Sequence, residues 1–186
     1  MTARIRSMML VTWLMALVIG CAANPSGAQS AAPAAGQASA PQLRIGVYNS
    51  RAVAIAFVRS DVFSKQMQDL QRQLKEAEAA KDTKKADQIK ARGANMQTVA
   101  HMQGFSNAPV DDAIEVIKDK LPAIAKDAGV HVIVATMDYQ GNDVQIVDVT
   151  DKIVAEFKPN DQTLKIVASM KNQKPITLLE AISIKD

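Results

Sequence analysis

Few side chains in this chain of 186 residues are equipped for covalent or metal chemistry: one cysteine, Cys21, and two histidines, His101 and His131. A zinc site needs several Cys or His at short, regular spacing, and neither histidine has a second one within reach in sequence. Of the acids, Asp111 and Asp112 are adjacent, and Asp138, Asp143, Asp148 and Asp151 are spread without the alternation of an EF-hand loop. Asp111 and Asp112 suit the positive end of a helix, and Asp148, Thr150 and Asp151 suit a helix cap. There is no glycine-rich phosphate loop and no Gly-x-Ser-x-Gly. The expectation is a protein that is not an enzyme and carries neither cofactor nor metal. What remains is charge. Lys75, Lys81, Lys84, Lys85, Lys90 and Arg92 gather in one stretch, suited to an acidic client, an anionic lipid or lipopolysaccharide. Glu76, Glu78, Asp82 and Asp87 lie among them and equally suit a solvated mixed face.

The elements that would position these residues follow from periodicity. Leu43, Ile45 and Val47 alternate with Arg44, Gly46 and Tyr48, a half-buried strand. Ser50 is placed to cap a short helix over 52–57. Phe63, Met67, Leu70, Leu74 and Ala77 step by four and three, a narrow helical seam. The seam turns polar over 80–85 and resumes at Ile89, Met96, Val99 and Met102 in a shifted register. One helix over 61–102 would run about 63 Å, against about 30 Å for a return over 109–128. A turn at 81–83, with Asp82 capping the second helix, reconciles the lengths; a turn at Gly93 is the alternative. The result is a helical hairpin over about 60–102, closed by a break at 104–108.

A third helix is expected from Pro109 to Gly129, kinked at Pro122. Residues 130–137 read as a buried strand, and Gly141-Asn142 as a hairpin turn to a partner strand at 144–149. Val47, Val132, Val134, Ile146 and Val149 are the expected sheet core. Helices follow over 151–157 and 161–170, and Thr177 with Glu180 forms a capping box for a last one. The fold class is therefore α+β.

The N-terminus gives Cys21 its meaning. Arg4 and Arg6 precede an apolar run of 13 residues, 8–20. That pattern is an export signal, and it falls short of the about 20 residues a membrane span needs. Val18, Ile19, Gly20 and Cys21 resemble the lipobox of bacterial lipoproteins. The resemblance implies removal of residues 1–20, a lipid on Cys21 and a membrane anchor. The alternative is cleavage after Ala28 behind Ser26 and Gly27, giving a soluble periplasmic or secreted chain. Either way the mature protein is exported, and with no second cysteine it holds no internal disulfide. Residues 22–42 are uncharged and rich in Ala, Ser, Pro, Gly and Gln, a tether of roughly 25 Å end to end. Without Arg4 and Arg6 the net charge drops from +3 to +1, too small to argue for nucleic acid.

The order of elements carries a second resemblance. Ile45-Gly46-Val47-Tyr48-Asn49-Ser50-Arg51-Ala52-Val53 is followed by a charged helical hairpin. Next come Ala128-Gly129-Val130-His131-Val132-Ile133-Val134 and Val147-Asp148-Val149-Thr150-Asp151-Lys152-Ile153-Val154. Residues 43–158 resemble the Skp/OmpH-like periplasmic chaperones, with 159–186 as a helical extension beyond the shared pattern. The resemblance implies a small sheet body with a protruding antiparallel hairpin, a homotrimer, and the holding of unfolded or other envelope proteins. The hairpin here is shorter than the family's. A tethered adaptor for one envelope partner is the alternative.

Overall fold

A computed structural model describes residues 42–184. Residues 1–41, with the expected export signal, Cys21 and all but the last residue of the expected tether, lie outside the described residues. Three strands, β1 (Leu43–Val47), β2 (Val132–Val134) and β3 (Val144–Asp148), form one parallel sheet in the order β2-β1-β3. Ile45 sits opposite Val132 on one side and Ile146 on the other. This corrects the expected hairpin: β2 and β3 do not pair with each other but flank β1 from either side. Gly141-Asn142 turns the chain without joining paired strands. Continuous β-branched runs are as characteristic of parallel strands as of buried antiparallel ones, so composition does not set the direction.

The register assigns two faces. Gly46, Ile133 and Val147 share the face turned toward the helices. A Cβ on Gly46 would stand 3.1–3.3 Å from side chains of Val130, Val149 and Ile133, so glycine lets the helical side close onto the central strand. The other face carries Leu43, Ile45, Val47, Val132, Val134, Val144 and Ile146. Leu43 and Val132 are exposed and the rest are half-buried. Of the expected sheet core, only Val149 is buried; Val47, Val132, Val134 and Ile146 line this open face. The expected buried strand over 130–137 likewise shrinks to a short, partly exposed edge.

The helix α1 (Ser50–Val58) is apolar on nearly every side and buried, the pattern of a central helix. Its cap is Asn49 rather than Ser50: the Asn49 side-chain oxygen accepts from the Ala52 amide at 3.0 Å. Phe57 packs edge-on to Phe63 at 5.4 Å and against Phe157 at 5.8 Å. Around α1 lie α3 (Thr83–Phe105), α6 (Thr150–Ala155) and α7 (Asp161–Lys171). Thr150 closes the sheet onto α1, because its hydroxyl accepts from the Asn49 amide at 2.9 Å. Burial pushes the Asp148 carboxyl up, but hydrogen bonds from Thr150 outweigh it and hold Asp148 below its ordinary value.

α2 (Asp61–Ala79) meets α3 through a turn at 80–82, one residue ahead of the expected 81–83 and not at Gly93. Lys81 takes the left-handed conformation there, with φ 56°. Asp82 accepts from the Lys85 amide at 3.0 Å, the expected cap. Leu70 and Ala77 pack with Ala86 and Ile89 in a small apolar cluster joined by Leu74 and Met96. Asp82→Ala should lower stability by about 1 kcal/mol, the usual worth of an N-cap, and thermal unfolding followed by circular dichroism measures it.

α3 continues past the expected stop, through Gly104 to Phe105. The expected kinked helix after Pro109 is instead three pieces: α4 (Asp111–Val116), a 3₁₀ turn (Lys118–Lys120) and α5 (Leu121–Ala128). Pro122 cannot continue a helix from upstream, so the chain tightens and restarts with Pro122 in the first turn of α5. Gly129 ends α5 with φ 63°, and a Cβ there would come within 2.7 Å of the Arg44 guanidinium. The last helix, α8 (Leu178–Ile182), begins at the expected Thr177–Glu180 capping box.

Candidate functional site

An apolar groove of about 720 Å³ opens between α1, α2 and α3. Ile55 and Val58 of α1 and Phe63 and Met67 of α2 form its walls, and Phe105 closes one end. The α3 side is built from small residues at helical spacing, Gly93, Ala94, Ala100 and Gly104, which keep the space open. A second groove of about 490 Å³ lies along other α3 residues and is more mixed, with Gln66, Arg92, Asn95 and Gln103 beside Met96 and Val99. Both are open clefts suited to apolar side chains with a polar rim.

The basic residues are spread along α2, the turn and α3. Lys81, Lys84 and Lys85 belong to the turn and the first turn of α3, and Lys75 to the late part of α2. Lys90 pairs with Glu78 at 3.1 Å, near Asp82 and Asp87. Arg92, two residues on, lies in the second groove with Gln66. The turn between α2 and α3 therefore carries mixed charge, and such exposed pairs contribute little to stability.

Several of the residues weighed for chemistry make contacts within the fold. His131 accepts from the Arg44 amide through Nδ1 at 3.1 Å. His101 stacks edge-on against Phe105 at 5.8 Å. Asp112 accepts from the buried Gln103 amide at 2.7 Å, tying α4 to α3. Burial raises the Tyr48 hydroxyl, and the Asp111 charge adds to it. Among the described residues no three His, Cys, Asp or Glu gather to hold a metal, and no helix is long and apolar enough to cross a membrane.

Arg51 is a node that sequence reasoning missed. It is 3% exposed and, among the described residues, has no carboxylate partner. Its Nε and Nη1 donate to the carbonyls of Gly104 and Gln173 at 3.4 and 2.6 Å, and its Nη2 faces the Met170 sulfur at 3.8 Å. The Gly104 carbonyl belongs to the last turn of α3, where the helix dipole is negative, and the Gln173 carbonyl lies two residues past the end of α7, so backbone stands in for a counter-ion. Burial lowers the Arg51 pKa. The signal in sequence is a lone charge in an otherwise apolar helix. The groove's signal is the run of small residues on α3, legible as a face but not as a cleft.

No protein family, curated protein or solved structure matches this chain.

Proposed function

We propose that this chain is a non-enzymatic holding protein of the cell envelope, of Skp/OmpH-like architecture. In this reading α2 and α3 form a short antiparallel hairpin arm, and unfolded or partner protein lies along its base. The observation that carries the reading is the apolar groove between α1, α2 and α3, large enough for several apolar side chains of a client. Holding there would be weak and multi-point, with the mixed-charge tip speeding encounter without adding much affinity. The open apolar sheet face supports self-association, with a homotrimer favoured, since an isolated monomer leaves that face in water. The export signal supports the location, and a lipid on Cys21 would make the membrane the anchor.

The test is suppression of aggregation of an unfolded outer-membrane protein. Ala94 is an exposed groove residue on α3, so Ala94→Glu places a charge in the groove without removing core. It should lower suppression several-fold while leaving thermal unfolding unchanged. Wild-type protein that fails to slow aggregation would sink the reading. Crosslinking from position 94 in cells separates the two versions of it: a chaperone captures many proteins, a tethered adaptor captures one.

A further inference from the structure

The last helix presents its apolar side to water. Leu178, Leu179 and Ile182 of α8 are 51%, 79% and 53% exposed, while Ala181 between them is fully buried. These side chains cannot turn inward. Ala181 is fully buried and holds α8 down, and the Ile176 amide donates to the Phe105 carbonyl at 3.0 Å, fixing the segment to the end of α3. Ile176 and Phe105 are themselves 38% and 41% exposed. The patch reaches on the order of 400 Å², the size at which an exposed apolar surface marks an interaction site.

The stretch of chain that leads into the patch is net positive. Residues 158–184 carry Lys158, Lys165, Lys171 and Lys174 against only Asp161 and Glu180. The Glu180 carboxylate is turned back into the capping box, accepting from the Thr177 amide and hydroxyl at 2.8 Å each. Lys171 is engaged by Asp151 at 2.6 Å, whereas Lys174, just ahead of the patch, is exposed. An apolar cap beside basic residues, with the Glu180 carboxylate turned into the capping box, is the chemistry of contact with an anionic lipid surface.

We propose that α8 and the Phe105 end of α3 form a membrane-contact surface. Leu178, Leu179 and Ile182 would seat at the acyl boundary of an anionic phospholipid layer, with Lys174 among the headgroups. The proposal rests on the envelope reading of the N-terminal signal and goes beyond the holding function. A patch this small binds weakly by itself, but a tether to the same membrane would make the contact effectively intramolecular.

The test is co-flotation of the exported chain with vesicles, using Cys21→Ser so that no lipid anchor contributes. Binding is expected to vesicles of phosphatidylethanolamine and phosphatidylglycerol, and much less to phosphatidylcholine alone. Leu179→Ser should lower it about tenfold, and Lys174→Gln about fivefold. Both positions are exposed, so thermal unfolding should not change. Absence of flotation overturns the proposal, as does equal flotation of Leu179→Ser. A change in oligomer mass on Leu179→Ser without vesicles would assign the patch to a second copy instead. Suppression of aggregation, read on the same variants, should be untouched by Leu179→Ser. If it falls in step with flotation, the patch belongs to the client surface and the membrane contact is overturned.

Discussion

Arg51→Met should destabilise the protein by about 3 kcal/mol, because the buried Gly104 carbonyl and the part-buried Gln173 carbonyl lose charged donors. In a domain of this size that lowers the melting temperature by roughly 6–12 °C. Arg51→Lys should recover less than half of the loss. One ammonium on a flexible stem cannot span acceptors on two separate segments as a planar guanidinium does. Thermal unfolding of the three proteins decides it. A loss under about 1 kcal/mol for Arg51→Met would mean that solvent or rearranged side chains satisfy the carbonyls. The effect is large because Arg51 is the point where α1 meets the ends of α3 and α7. Removing it loosens the base of the α2–α3 pair and the attachment of the C-terminal segment together.

Val132→Asp should convert the proposed oligomer to a monomer. Val132 is 47% exposed on the open sheet face, so the monomer tolerates a polar residue there. In a self-associated body the same carboxylate would be buried among Leu43, Ile45 and Ile146 of this or another copy. Burying it unpaired costs at least about 3 kcal/mol per interface, more than a hundredfold in dissociation constant. Light scattering across a concentration series reads the change, and circular dichroism should show the body still folded. Wild-type protein that is monomeric at every concentration, with no difference from Val132→Asp, would remove self-association from the reading of this face.

The local signals in the sequence were good guides. Asp82 marks the turn between α2 and α3, Gly129 ends α5, and Thr177 with Glu180 starts α8, each through bonds that span only a few residues. The alternation of Leu43, Ile45 and Val47 is equally legible, but which face turns inward is not. The side with Arg44, Gly46 and Tyr48 is the covered one, because Gly46 leaves room that a larger side chain would fill. Strand direction was illegible for a related reason. Val132–Val134 and Val144–Asp148 are β-branched and apolar in either orientation, and Gly141-Asn142 looks like a hairpin turn whatever the strands beyond it do. The groove and the Arg51 node arise only when α1, α3 and α7 pack, so no window of sequence contains them.

The central position of β1 has a consequence for the order of events during folding. The chain must bring β1 together with β2 and β3 across separations such as the 87 residues between Arg44 and His131 and the 101 between Asn49 and Thr150. The α2–α3 pair closes through a short turn, so it can form early, while the sheet waits for distant segments. If the chain is exported as proposed, β1 arrives first and finds its neighbours last. For that interval Ile45 and Val47 stand without their strands, and capture by an extended segment of another chain is the hazard such an unpaired strand carries.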